Sequence, residues 1–351
     1  KKTTSDDKKI NGKTYFFDED GKMQYGWYAD SNNNVYYLGE EDDGARTNSS
    51  WLWLAAPDSE DDDEKDAADA VSHDSQNDDD PCDEEGWYWF GSDGKMYKDA
   101  KQKKINGKYY YFNNHGQMLY EWIIGVKANV ASNAKLDSDS IEATASEVRY
   151  MNVVEEGWRA DGWYQIDGAW YFMNADGSLK QNESFLYDNN LYFVNKSGKM
   201  YQNQWLKWDG NYYYLRSWGG AAHEGWLLLQ NKYYYINEDC TRKTDEAFTY
   251  DNNLYFVDEN GVMPANQWVI RDGVWYFTYS WGGARKSQWF YYKNNWYYFN
   301  DDASMQTGWA EIDGKTYYFQ SWGGCVTGTK KIDGTTYVFD KNGVLLSEKE
   351  S

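Results

Sequence analysis

Aromatic and aliphatic residues recur along this chain about every 21 positions, and within each spacing they alternate with polar residues. Tyr171, Tyr192, Tyr213, Tyr234, Tyr255, Tyr276, Tyr297, Tyr317 and Tyr337 follow one another at steps of 21 or 20. Tyr15, Tyr36, Tyr88 and Tyr110 hold the same place in four earlier units. A mostly apolar residue stands two positions after each tyrosine, as at Phe17, Phe112, Val194, Ile236 and Phe339. Side chains two apart share one face of a strand, so we read these two positions as the interior face. Six positions after the tyrosine there is usually a glycine behind Asp or Asn, as in Asp18-Glu19-Asp20-Gly21. Such clusters favour tight turns with positive φ. An apolar residue returns two positions later, as at Met23, Met96, Met118, Met200 and Leu345. The pattern predicts a unit of strand, glycine turn, second short strand and a tryptophan-bearing link.

Glu183 to Met305 is one 63-residue block written nearly twice, with Tyr187 to Val194 returning unchanged as Tyr250 to Val257. Each block holds three units. Short aromatic units repeated along a chain stack on one another and bury surface between neighbours. The expected fold class is therefore all-β, a solenoid of about thirteen β-hairpin repeats of about 20–21 residues. Two insertions interrupt the series. The expected organisation is hairpin repeats over 1–54, an acidic loop over 55–85, further repeats over 86–122, a second insertion over 123–157 with a short helix near Ile141 to Arg149, and a regular solenoid over 158–351.

Composition supports strands: 19% of residues are aromatic, with 20 Trp and 34 Tyr, and 31 glycines serve recurrent turns. The net charge of −22 argues against nucleic acid. Most of it is local, since Asp58 to Glu85 contains fifteen acidic residues against Lys65 alone. The simplest reading of that run is a solvated loop. Asp61, Asp62, Asp63, Asp78, Asp79 and Asp80 offer the hard oxygen ligands that Ca²⁺ takes, without the spacing of an EF-hand; no other cofactor is indicated. No apolar run approaches the ~20 residues that cross a bilayer, and the polar start at Lys1 reads as a mature chain or a fragment. Cys82, Cys240 and Cys325 show no metal-ligand spacing. Cys240 takes the turn-glycine place, near the surface, and Cys325 the partly buried methionine place, so no disulfide between them is expected. His73, His115 and His223 lie in separate contexts, and no nucleophile, zinc or phosphate-loop motif accompanies them; the chain reads as non-catalytic.

Two further positions carry aromatics, one seven or eight residues before the unit's tyrosine and one immediately before it. They pair Trp163 with Trp170, Trp205 with Tyr212, Trp226 with Tyr233, Trp268 with Trp275 and Trp289 with Trp296. The second member points away from the interior face, outward or into a groove between units. Such walls suit a quaternary ammonium through cation–π attraction or a sugar ring lying flat on the aromatic. Either ligand would gain from repetition. Units with Phe185 and Leu191, or Phe248 and Leu254, lack the pair.

Gly162-Trp163, Asp167-Gly168-Ala169-Trp170-Tyr171-Phe172 and Gly177 resemble the cell-wall-binding repeat of Gram-positive surface proteins. Gly308-Trp309 with Asp313 to Phe319, and Asn11 to Phe17, repeat the likeness. That superfamily includes choline-binding modules, glucan-binding repeats and the repetitive ends of clostridial toxins. The resemblance implies a left-handed solenoid with each hairpin rotated about a third of a turn from the last. It implies ligand sites between consecutive hairpins, walled by the Gly-Trp tryptophan, the first aromatic of the strand and an aromatic of the next hairpin. Units with Thr316, Thr329 or Thr336 should lack a cage, and the Ser-Trp-Gly-Gly segments at Ser217, Ser280 and Ser321 depart from the usual acidic turn. With three hairpins per turn, each 63-residue block is one turn, so one stripe without cages and two with them are expected. The implied role is a secreted or surface-attached module binding choline-decorated teichoic acid or an α-glucan-type polymer. The alternative, from exposed seam aromatics and sheet edges, is a structural or adhesive surface protein that self-associates or binds host glycans.

Overall fold

The computed structural model describes residues 7–73, 85–98, 102–124 and 148–349. These contain fourteen antiparallel sheets, thirteen of two strands and one of three, and a single short helix. The chain divides into two compact units, Lys1–Tyr201 and Gln202–Ser351, each built as a run of stacked β-hairpins.

One hairpin shows how the repeat is made. Trp268–Arg271 pairs with Val274–Phe277, setting Trp268 opposite Phe277 and Val269 opposite Tyr276. Between them Asp272 and Gly273 both take positive φ, 53° and 77°, as a two-residue type I′ turn requires. Asp-Asn at 251–252 and Lys-Asn at 293–294 make the same turn without glycine. This corrects the expected unit. The tryptophan segment is the first strand of the hairpin, not a link. The glycine beyond the tyrosine makes a second reversal that closes on one bridge, such as Phe299 with Met305. The type I′ turn matches the strand twist and carries a ladder of four or five pairs. After the glycine turn the chain makes one pair and leaves for the next hairpin.

The interior face is as the alternation predicts. Phe90, Phe112, Met173, Val194, Leu215, Ile236, Phe299 and Phe319, each two positions past the reference tyrosine, are fully buried. Consecutive hairpins are stitched by a recurring backbone bond. The residue eight positions past one tyrosine donates its N–H to the residue just before the preceding tyrosine: Leu179 to Val148 and Met200 to Trp170 in the first unit, Arg242 to Tyr212, Met263 to Tyr233, Ala284 to Leu254, Met305 to Trp275 and Cys325 to Trp296 in the second. The stitch lays one hairpin's Met-register side chain beside its neighbour's aromatic wall.

The turn glycine answers to that side chain. A Cβ on Gly282 would stand 2.1 Å from Met263 Sδ, and one on Gly261 2.5 Å from Arg242 Nε. Cys240 and Ala303 occupy the same turn place at positive φ, and the hairpins before them carry Ala221 and Ala284 in the Met register. Space left by the small residue admits the Cβ. Cys240 is consequently buried, correcting its expected surface position, because the turn faces the neighbouring hairpin and not water. Cys240 and Cys325 are both free thiols; Cys82 lies outside the described residues.

Both insertions are spliced into hairpin tips. Ser50–Ala55 pairs with Glu85–Phe90, and Trp122–Ile124 with Val148–Tyr150. The second pair is a repeat beyond the thirteen expected, hidden because Arg149 takes the tyrosine place. Val148 and Arg149, expected in a helix, are strand; the rest of that span lies outside the described residues. The acidic run holds a helix, α1 (Lys65–Val71), whose Ala67, Ala68 and Val71 are buried, Ala67 and Val71 in one cluster with Trp27, Val35 and Tyr88. The run is therefore more than a solvated loop, because the three apolar positions fall on one helical face. Burial pushes the Glu64 carboxyl, at the start of α1, above the usual range. Asp61, Asp62 and Asp63 are exposed, with Asp61 accepting the Asp63 N–H at 2.8 Å. Asp78, Asp79 and Asp80 lie outside the described residues. Among the described residues no three His, Cys, Asp or Glu side chains converge to hold a metal.

Candidate ligand-binding site

Strand pairing brings the expected aromatic pairs together. A first-strand tryptophan faces the residue after the reference tyrosine, so its ring lies diagonal to the aromatic just before that tyrosine. Trp163 and Trp170 meet edge to face at 6.5 Å, Trp226 and Tyr233 at 6.4 Å, Trp268 and Trp275 at 6.1 Å, and Trp289 and Trp296 at 6.3 Å. Their near-perpendicular planes form two sides of a corner. The second members remain open to solvent; Trp275 is 42% and Trp296 48% exposed.

The next hairpin supplies the third wall, and it is the reference tyrosine itself. Tyr192 lies 4.9 Å from Trp163, Tyr255 4.9 Å from Trp226, Tyr297 5.0 Å from Trp268 and Tyr317 4.8 Å from Trp289. The stitched residue forms the floor: Met200, Met263, Met305 and Cys325 in turn. Around Trp268 these parts enclose a cavity of about 250 Å³ lined by Trp268, Trp275, Tyr297, Met305 and Trp322.

Trp322 belongs to a Ser-Trp-Gly-Gly segment, which the spacing of aromatic pairs did not mark as part of a site. Its ring stands 6.1 Å from Tyr297, as that of Trp281 stands 5.9 Å from Tyr255. Each glycine has a reason. A Cβ on Gly324 would fall 2.0 Å from the Trp322 ring, and one on Gly323 2.2 Å from Met305 Sδ. The first glycine clears the floor methionine and the second lets the indole fold over its own turn. The recurrence of Trp-Gly-Gly was the available signal.

Sequence spacing also missed a cage in the first unit. Trp51, Trp87, Tyr110 and Met118, with Glu155 and Glu156, line a cavity of about 200 Å³. Trp51 is 4.9 Å from Tyr110, and the Met118 N–H donates to the Trp87 carbonyl at 2.8 Å. Its two tryptophans lie far apart in sequence because the acidic insertion separates the strands that carry them.

One predicted place differs. Trp205 meets Tyr234 at 5.0 Å, but the guanidinium of Arg242 lies 4.9 Å from the Trp205 ring and 4.3 Å from Tyr212. That corner is filled. In the units lacking the pair, Lys180 covers Phe185 at 4.8 Å and Lys243 covers Phe248 at 5.1 Å, and Ala284 replaces the methionine floor beside Leu254. Trp309 meets Tyr337 at 4.8 Å, with Thr316 standing where an aromatic wall would be.

Hairpins stitched edge to edge, with aromatic corners closed by the following repeat, define a repeat protein with aromatic cavities at its seams. The sequence comparisons say which. The profile of the choline-binding repeat matches residues 4–51, and that of the cell wall binding repeat matches 82–96, 103–118, 161–179, 203–221, 287–302 and 307–325. The matched segments are repeats of the cell-wall-binding superfamily. No curated protein sequence matches it. Among solved structures it is similar to the modular autolysin LytC of Streptococcus pneumoniae, seen with a synthetic peptidoglycan ligand: 27% identity over 57% of this chain, TM-score 0.48. It spans 46% of that autolysin chain. It is also similar to choline binding protein F of the same organism (21% identity, 98% of this chain and 100% of that one, TM-score 0.42). The choline-binding domain of CbpL, again from S. pneumoniae, matches at 26% identity over 54% of this chain and 100% of that one, TM-score 0.42.

Proposed function

We propose that this chain is a non-catalytic, multivalent receptor for quaternary ammonium groups, choline foremost, carried on a cell-wall polymer such as teichoic acid at the bacterial surface. The observation that carries this reading is the cavity at Trp268, Trp275, Tyr297, Met305 and Trp322. Four ring faces and a thioether offer negative π-density and no hydrogen-bonding carboxylate or amide. A trimethylammonium group needs the first, at ~0.5–2 kcal/mol per ring, and has no N–H or O–H to hydrogen-bond to the second. A sugar needs both. At about 250 Å³ the cavity is also smaller than the ~300–1,000 Å³ of pockets that enclose larger ligands, so it suits a headgroup better than a glucan chain. Glu155 and Glu156 beside the Trp51 cavity add negative charge that favours the same cation.

Weak seams in series become strong when one polymer presents many headgroups, since each bound group raises the effective concentration of the next. The test is calorimetric titration with choline beside malto- and isomalto-oligosaccharides, with tryptophan emission followed in parallel. Choline should bind at several sites and the sugars at none. Silence with choline at tens of millimolar, or saturable binding of a glucan alone, would overturn the reading.

A further inference from the structure

The filled seam at Trp205 carries a consequence. Arg242 stands in the register of Met263 and Met305, and its N–H makes the same stitch, to the Tyr212 carbonyl at 2.8 Å. Trp205, Tyr212 and Tyr234 correspond one for one to Trp268, Trp275 and Tyr297. What differs is the floor. In place of a thioether, a guanidinium rises between two walls, 4.9 Å from Trp205 and 4.3 Å from Tyr212. Its buried Nε meets no hydrogen-bond acceptor among the described residues, so ring faces hold this end of the group. Gly261 leaves it room, since a Cβ there would fall 2.5 Å from that nitrogen. Arginine stays charged under all ordinary conditions, so the seam holds a permanent cation.

We propose that Arg242 is a built-in surrogate for the cationic ligand, closing one aromatic cage, and that the residue in the Met register sets how many headgroups the chain binds. This rests on the quaternary-ammonium reading above. The first unit uses the same register similarly. Arg159 stitches to Tyr109 at 2.7 Å with its guanidinium 4.6 Å from that ring, and Arg46 stitches to Thr14 at 2.8 Å with its guanidinium 6.0 Å from Tyr36. At the Trp268 seam the floor is Met and the cage is open; at the Trp205 seam it is Arg and the chain fills the place itself.

The experiment is choline stoichiometry by calorimetry on the full chain and two reciprocal variants. Arg242→Met gives this seam the floor of its neighbours and should bind one more choline than the wild type; adding Trp205→Ala should abolish the gain. Met263→Arg should lose one choline by closing the Trp226 cage, and Gly282 offers that arginine the room Gly261 gives Arg242. Near-ultraviolet circular dichroism reports that each variant is folded. An unchanged count in folded Arg242→Met, or in folded Met263→Arg if the first variant fails to fold, overturns the proposal while wild-type binding still stands. No choline bound by any of the proteins overturns both this proposal and the reading beneath it.

Discussion

The seam at Trp268 and the seam at Trp27 are built from the same register and end in opposite states. Each has a first-strand tryptophan, the next hairpin's tyrosine and a methionine floor: Trp268, Tyr297 and Met305 in one, Trp27, Tyr88 and Met96 in the other. Trp27 and Tyr88 lie 4.9 Å apart, and Met96 N–H stitches to Val35 O at 2.7 Å. Around Trp268 these parts line an open cavity. Around Trp27 they are sealed, with Trp27 3% and Tyr88 0% exposed. Val35 replaces the outward aromatic, and α1 packs Ala67 and Val71 into the same cluster, over the corner that stays open at Trp268. The Trp27 indole N–H donates to the Ala55 carbonyl at 3.0 Å, and Lys98 Nζ donates to the Ala70 carbonyl. One geometry leaves an open aromatic cavity when water reaches it and becomes core when an insertion covers it.

That contrast can be broken, and the largest effect should come from the sealed side. Trp27→Ala removes a buried indole and its hydrogen bond, and should destabilise the first unit by about 3–5 kcal/mol in urea unfolding. The contrast fails if Trp268→Ala costs more. Next is Ala68→Asp, which sets a carboxylate in the buried face of α1 and should cost about 1–3 kcal/mol. Trp27 emission should shift to the red as the helix lifts; unchanged emission would mean the helix does not seal the seam.

On the open side the expected effects fall on binding. Trp275→Ala should leave urea stability within about 0.5 kcal/mol, as for an exposed site. One ring's cation–π contact, ~0.5–2 kcal/mol, is a roughly 2- to 30-fold loss of choline affinity at that cavity; equal affinity would discard Trp275 as a wall. The smallest change concerns the floor. Burial pushes the Cys325 thiol up to about 11, so near neutral pH it is an uncharged sulfur standing in for methionine. Cys325→Met should tighten the Trp289 seam by less than about 1 kcal/mol, a gain of up to roughly fivefold. A loss of affinity would show that the longer side chain blocks the seam.

Much of this was legible before any coordinates. The 21-residue step, the alternation around each tyrosine and the glycine-rich turns identified stacked hairpins. The Gly-Trp and pre-tyrosine positions named two walls of four corners that the structure forms. What escaped was whatever depends on chain that linear spacing does not connect. Trp51 and Trp87 form one cage across an insertion. Arg149 hid a repeat because the register was keyed to tyrosine. Trp322 read as a departure from the usual turn and proved to be a wall.

The sequence by itself determined the repeat, its strands and the aromatic pairs, because strand alternation and two-residue turns are local and write themselves at fixed spacing. Only the tertiary structure decided which corners stay open. Each is closed or completed by the following hairpin or by an inserted helix, so the same pair of rings becomes a cage over Met305, a filled seam over Arg242 or, when α1 covers it, part of the core.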